Sequence, residues 1–272
     1  MSGVPQKPPV CLTIAGLDPS GGAGIVADIK TMSAFGCFAA AAVTSVTFQN
    51  TTGVFGAVHQ SADSVRRQVD AVLDDYDIAV IKTGMLPTAE IIGAVADIVS
   101  SRHRGPLVVD PVVRSTSGFD LIDDAALKVL TEKLMPLATV VTPNLAEAER
   151  IVGFSIKADE TLARAGEKML SMGAKNVLIK GGHQTVDARS RRQAVDTLVT
   201  HGGIHVFTTD FIDTRATHGT GCTLASAIAA NMALGKELSE AVRISKEFVT
   251  EAIRTAPGLG HGHSPINITL QV

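Results

Sequence analysis

The chain has 272 residues, 45% hydrophobic and 19% charged, with a formal net charge of −3, a composition that suits a globular fold with a large buried core. Acids and bases are interspersed, there is no Trp and a single Tyr, so neither a basic nucleic-acid or membrane patch nor an aromatic base-stacking platform is expected. Three scattered cysteines (Cys11, Cys37, Cys222) form no CxxC pair, which argues against a disulfide framework or a zinc site and fits a reducing compartment.

In chain order, the opening MSGVPQKPPV reads as a Pro-bearing polar leader over residues 1–9 and not as a signal peptide. The longest apolar runs, such as Ala39–Val43, are far too short to span a membrane. A cytoplasmic protein is expected. Strands are predicted at Cys11–Ala15, Ala42–Phe48, Ile78–Lys82, Leu107–Asp110, Thr139–Thr142 and Asn176–Lys180. Helical periodicity falls near Gly24–Phe35, Ser61–Leu73, Thr88–Ser101, Asp123–Leu134, Leu145–Val152 and Thr161–Met172. β-branched strands alternating with helices imply βαβ units and a mainly parallel sheet, apolar on both faces because helices cover both. Two stretches depart from that alternation. NTTGVFGAVHQ after Phe48 suits a short strand or flap, and Val195–Thr200 with Ile204–Thr208 reads as a hairpin about Gly202-Gly203. One domain over 1–272 is expected.

In such sheets ligands gather at the carboxyl ends of the strands. The residues there are Gly16 to Gly24, Gln49-Asn50, Thr83-Gly84-Met85, Asp110-Pro111, Pro143-Asn144 and Gly181-Gly182-His183. Gly22-Ala23-Gly24-Ile25-Val26-Ala27 matches a dinucleotide fingerprint formally. Its glycines begin about six residues past the strand, however, and Gln49 stands where a ribose-binding acid belongs. No Gly-Lys-Ser/Thr follows, so it is not a P-loop either. It reads as a helix-capping turn or as a backbone surface that a flat ligand can approach.

Thr217-His218-Gly219-Thr220-Gly221-Cys222-Thr223 precedes the helix LASAIAANMAL, so unpaired N–H groups converge at the positive end of a helix dipole, an anion site. Cys222 in the first helical turn is expected to have a lowered pKa; the plainer reading is a buried structural cysteine. Asn144 and Glu147 fit a capping box as well as metal or phosphate work. Asp110 adds a carboxylate at the same edge, and sparse oxygen ligands of this kind suit Mg²⁺. Lys180, beside glycines, is a candidate phosphate ligand. His183, His218, His261 and His263 lack metal-ligand spacing, and the last two read as a solvated tail.

Together, TIAGLDPSGGAGIVADIKT, VTFQNTTGV, IKTGML, VVDPVV with STSG, VTPNLAEAE, IKGGH and THGTGCTLASAIAA closely resemble the hydroxymethylpyrimidine/phosphomethylpyrimidine kinases of thiamin biosynthesis, in the ribokinase-like superfamily. The resemblance spans about residue 11 to 250 and implies a three-layer α/β/α sandwich with a small strand flap, usually dimeric. GTGC carries Cys where most ribokinase relatives have Asp. Carried over by position, Gly16, Asp28, Gln49 and Met85, with Cys222, resemble the pyrimidine pocket, and the Gln49 amide suits an aminopyrimidine edge. Asp110 and Glu147 resemble the Mg²⁺ ligands, Lys180, Asn144 and Thr217 the ATP contacts, and Gly219, Gly221 and Cys222 the catalytic turn. The chain departs from the family at Val113-Arg114-Ser115-Thr116, at Ala216 and at Phe48.

The activity so implied is transfer of the terminal phosphoryl group of ATP to a hydroxymethyl heteroaromatic alcohol, with Cys222 accepting or orienting its proton. The nearest rival is a pyridoxine/pyridoxal kinase. A sugar kinase would call for Asp at position 222, and a non-catalytic ligand-binding regulator would not need the full set of charged residues.

Overall fold

The computed structural model describes residues 7–113, 122–181, 184–186 and 192–269. Arg114 to Thr116 and the STSG run, Gly182-His183 and most of the leader lie outside them.

Among the described residues, ten strands form one sheet. They are β1 (Val10–Leu17), β2 (Phe38–Asn50), β3 (Gly53–His59), β4 (Ile78–Thr83), β5 (Leu107–Val109), β6 (Val140–Val141), β7 (Asn176–Ile179), β8 (Gln184–Val186), β9 (Arg192–Thr200) and β10 (Gly203–Asp210). Their order is β10-β9-β7-β6-β5-β4-β1-β2-β3, with β8 pairing to β9. From β2 to β7 the neighbours are parallel, and the β2–β3, β7–β9 and β9–β10 pairs are antiparallel.

Successive residues of the short central strands enter opposite cores, as the period of two requires. Leu107 and Val109 face one core and Val108 the other; Val141 and Val140, and Ile179 and Leu178, divide in the same way. The first core is covered by α2 (Ala62–Asp75), α3 (Ala89–Arg102), α4 (Asp124–Val129), α5 (Leu145–Val152) and α6 (Asp159–Ser171). α1 (Gly24–Ala34), α7 (Thr220–Ala233) and α8 (Leu238–Arg254) cover the second. That is the expected α/β/α sandwich, with β2–β3 as its flap.

Three elements differ from expectation, the first being β8, an addition to the predicted strands. The helix expected over 123–134 is α-helical only to Val129, then widens into a π turn over Leu130–Leu134 and tightens to a 3-10 turn over Met135–Leu137, where Pro136 removes a donor. α8 is an addition to the predicted helices. Among the described residues no helix is long and apolar enough to cross a membrane.

Candidate active site

One cavity of about 1080 Å³ runs along the carboxyl ends of the parallel strands. Every candidate site residue borders it except Asp28.

At its β1–β2 end, Gly16, Gln49 and Met85 come together. A Cβ on Gly16 would lie 2.7 Å from Met85 Cε, so the bare backbone is what lets the thioether lie across β1. Thr44 Oγ1 donates to the Met85 carbonyl at 2.7 Å. Thr47 Oγ1 lies 3.0 Å from the Leu17 carbonyl oxygen and 3.2 Å from Gln49 Oε1, so its one proton is shared between two acceptors and the Gln49 NH₂ is left for another.

Asp28 does not belong to this wall. It is fully buried, and its Oδ1 accepts from Lys82 Nζ (2.9 Å) and Ser226 Oγ (2.7 Å). Oδ2 accepts from Lys82 Nζ (2.8 Å) and Thr13 Oγ1 (2.6 Å). A carboxylate has about four lone-pair sites, so no capacity remains for a ring, and direct contact gives way to a supporting place behind the wall. Lys82 was legible as a charged residue in an apolar strand. Burial favours its neutral form, but Asp28, with Cys222 and Asp110 adding to it, offsets this and raises its pKa.

The two glycine clusters, separate in sequence, abut in space. Asp18 accepts from the Ser20 and Ala23 N–H groups at 2.8 and 3.0 Å, forming the turn before α1. His218 Nε2 lies 2.7 Å from Asp18 Oδ2, and both side chains are buried. Gly219, at φ +86°, begins α7; a Cβ there would sit 1.8 Å from the Gly22 carbonyl oxygen. Burial alone would raise Asp18, but the hydrogen bonds from His218 and Ser20 bring it below the usual carboxylate range. The tail joins here as well: the His263 N–H donates to the Thr51 carbonyl at 2.7 Å and His263 Nδ1 lies 3.3 Å from Thr217 Oγ1. The His261 and His263 side chains are exposed as expected, but the backbone of this segment is docked on the flap turn.

The middle of the cavity carries the charge. Lys180 Nζ is 2.7 Å from Asp110 Oδ1 and 4.0 Å from Glu147 Oε2. Thr142 Oγ1 also donates to Asp110 Oδ1, at 3.0 Å. Asn144 and Glu147 form the capping box, with Glu147 Oε2 accepting from the Asn144 N–H at 2.7 Å and Asn144 Oδ1 from the Glu147 N–H at 2.9 Å. Capping and cluster membership are thus both realised. Burial pushes Glu147 up to about 7, against the attraction of Lys180 and with Asp110 adding to the rise. Burial opposes the Lys180 charge, yet the two carboxylates raise its pKa.

Gly221 is the point where helix and cluster meet: a Cβ there would lie 3.2 Å from Lys180 Nζ and 3.9 Å from Asp110 Oδ2. The N–H groups of Gly221 and Cys222 have no acceptor within the helix, so two donors and an ammonium converge on one place. The expected lowering of Cys222 is reversed. Burial pushes the thiol up to about 11; Lys82 pulls it down, Asp28 and Asp110 push it up, and a hydrogen bond from the Gly24 N–H lowers it.

Sequence reasoning missed a further pair: Lys246 Nζ, from α8, is 2.7 Å from Asp196 Oδ2, and both residues line the cavity. Asp196 also accepts from the Gly181 N–H at 2.8 Å. Among the described residues no cluster of three or more His, Cys, Asp or Glu groups could hold a metal ion unaided.

Unpaired N–H groups at a helix start, a lysine and two carboxylates on a parallel sheet edge are an arrangement that suits a phosphotransferase of the ribokinase-like class. The family described as phosphomethylpyrimidine kinase matches residues 18–267, and the chain belongs to that family. It is 42% identical to the hydroxymethylpyrimidine/phosphomethylpyrimidine kinase of Haemophilus influenzae, over 94% of this chain and 95% of that one. It is 44% identical to the Geobacter sulfurreducens thiamine biosynthesis bifunctional protein ThiED over 94% of its own length, but spans only 51% of that relative. Among solved structures, phosphomethylpyrimidine kinase from Clostridium difficile 630 matches with a TM-score of 0.78 at 41% identity, covering 90% of this chain and 99% of that one. The Bacillus subtilis pyridoxal kinase in its ADP complex matches with a TM-score of 0.86 at 33% identity, covering 96% and 98%.

Proposed function

We propose that the protein transfers the γ-phosphoryl group of ATP to the hydroxymethyl oxygen of 4-amino-5-hydroxymethyl-2-methylpyrimidine, and then to the resulting monophosphate, in thiamin biosynthesis. The observation that carries this reading is the convergence of the Gly221 and Cys222 N–H groups with Lys180. Positioning and charge neutralisation are what phosphoryl transfer needs.

The ring fits between Gly16, Met85 and the Gln49 amide. Lys180 and the α7 turn hold the transferring phosphoryl group, with Asn144 and Thr217 on the nucleotide side. Asp110 and Glu147 suit Mg²⁺, which binds through one or two carboxylates together with phosphates and waters. When bound it would supply positive charge to the phosphate oxygens. Cys222 accepts or orients the hydroxymethyl proton as the new O–P bond forms and ADP leaves. The monophosphate is already anionic and needs no base.

The likeness to pyridoxal kinases favours one second reading, a kinase that also takes pyridoxine. An ADP-release assay with both alcohols and the pyrimidine monophosphate separates them. Turnover of pyridoxine alone would overturn the pyrimidine assignment, and no ADP release with any of the three would point to a non-catalytic binder. A single domain, a cytoplasmic location and a homodimer complete the reading; Phe48, Phe55 and Val58, exposed on β2–β3, support the dimer. Light scattering in solution tests it.

A further inference from the structure

β7 stops one residue short of the lysine it delivers to the cavity. Its antiparallel pairing with β9 runs as far as Ile179 opposite Thr197, and Lys180 follows as an isolated bridge to Asn144. The peptide units on both sides of the Lys180 Cα are tied all the same. Its own N–H donates to the Pro143 carbonyl at 2.8 Å. The next N–H, that of Gly181, donates at 2.8 Å to Asp196 Oδ1, so a side chain of β9 replaces the main-chain acceptor. Peptide units are planar, and these two bonds therefore restrict φ and ψ of Lys180 and the direction of its side chain. The approach needs glycine, because a Cβ on Gly181 would lie 1.5 Å from the Val195 carbonyl oxygen. Asp196 is buried, and Lys246 Nζ from α8, also buried, meets its Oδ2 at 2.7 Å. Lys246 thus keeps this acceptor from standing as a lone buried charge.

We propose that Asp196, braced by Lys246, is a positioning residue for phosphoryl transfer: it holds the Gly181 peptide and so aims Lys180 at the transferring group. This rests on Lys180 as the residue that holds that group. A lysine stem is flexible, so its head is placed only as well as its two ends are held. At one end Asp110 Oδ1 meets Nζ at 2.7 Å, and the first turn of α7 hems it in, since a Cβ on Gly221 would lie 3.2 Å from Nζ. The Gly181 bond holds the other end. Without it the end of β7 is free to shift and carries the ammonium with it. An ammonium aimed at charge that develops during transfer acts mainly in the transition state. The effect of losing the Asp196 acceptor should thus fall on kcat, for the alcohol and the monophosphate alike.

The test compares two double variants of the full-length protein that differ only at this acceptor. Asp196→Asn with Lys246→Met removes both charges and keeps an oxygen for the Gly181 N–H. Asp196→Leu with Lys246→Met removes the oxygen too, and replacing a buried ion pair by apolar groups of similar volume is often neutral for stability. ADP release is followed with the pyrimidine alcohol and with its monophosphate at saturating ATP. The Asp196→Asn double variant should keep kcat within about 3-fold of wild type. The Asp196→Leu double variant should lose about 10- to 100-fold on both acceptors, as a misplacement approaching about 1 Å would cause. Added to Lys180→Met, the same Asp196→Leu and Lys246→Met changes should cost less than about 3-fold more, because the residue they misplace is already gone. Equal losses in the two double variants, no loss in either, a full further loss without Lys180, or a rise confined to the KM for ATP overturns the proposal. If the Asp196→Leu double variant does not fold, a fall of about 10-fold or more in kcat of the Asp196→Asn double variant overturns it. Lys180→Met alone tests the reading beneath: if its kcat is unchanged, the role of Lys180 fails whatever Asp196 does.

Discussion

Gly219→Ala tests whether the contact between the two glycine loops holds the catalytic turn in place. At φ +86° an alanine costs about 1–2 kcal/mol. The added Cβ would also stand 1.8 Å from the Gly22 carbonyl oxygen, so one backbone must retreat by about 1.6 Å to reach an ordinary contact, which begins at 3.4 Å. Forcing an atom into a packed site costs about 1–3 kcal/mol more. Together these destabilise the protein by about 2–5 kcal/mol, and the shift falls on the N–H groups of Gly221 and Cys222. A misplacement of about 1 Å in a catalytic array costs about 100-fold in rate. Gly235 is the matched control, because it follows the other end of α7 at φ +82° with nothing within 4 Å of its added Cβ. Gly235→Ala should therefore cost only the conformational part, about 1–2 kcal/mol, and leave turnover intact. Urea denaturation and ADP release on both variants make the comparison. Equal stability and equal activity would refute the argument that the loop contact fixes the turn.

Three further outcomes follow from the same geometry. Cys222→Ala should slow phosphorylation of the alcohol by about 100-fold or more, the range of a lost general base, while changing the monophosphate step far less, as single-turnover assays on each acceptor would reveal. Lys180→Met should lower kcat by about 100- to 1000-fold, as expected when a preorganised donor to a developing charge is removed; a loss confined to KM would place Lys180 in ground-state binding only. Asp18→Asn should destabilise the protein at pH 7 by about 1–3 kcal/mol through the lost charged hydrogen bond to His218. Because the folded pKa of Asp18 is depressed, its contribution is present above the unfolded value and disappears as pH falls through the folded one. The gap between wild type and Asp18→Asn in urea midpoint should thus close below about pH 4.

Chain order carried most of the architecture. Short β-branched runs such as LVVD and NVLIK could only be strands buried on both faces, and their carboxyl ends marked the cavity. The tertiary partners could not be read in that way. Nothing near Asp18 announces His218, 200 residues away, and the pairing of Asp196 with Lys246 depends on an antiparallel strand meeting a helix from the end of the chain. Asp28 was misplaced because a motif position says which residue is present and not how many donors surround it. The Cys222 shift ran opposite to expectation because a helix start offers partial charge, whereas burial withdraws the water that would solvate a whole one.

The buried charges around the cavity share one logic. A lone ammonium is expensive to bury, and Lys82, Lys180 and Lys246 each sit against a carboxylate: Asp28, Asp110 and Asp196. Lys82 and Asp28 cancel, as do Lys246 and Asp196. Lys180 alone faces two carboxylates, so its cluster carries one excess negative charge whenever Glu147 is ionised; burial, with Asp110 adding to it and Lys180 opposing it, pushes Glu147 up to about 7. A proton can relieve it, and so can a cation. That imbalance, at the point where Gly221 opens the wall, is the observation that makes Asp110 and Glu147 fit Mg²⁺ better than the neutral pairs on either side. Glu147→Gln would remove the imbalance, since it restores a neutral Asp110–Lys180 pair. It should therefore raise the Mg²⁺ concentration needed for half-maximal turnover several-fold while leaving the fold intact. An unchanged Mg²⁺ requirement in a magnesium titration of ADP release would mean that the excess charge serves the stability of the cap and not the metal.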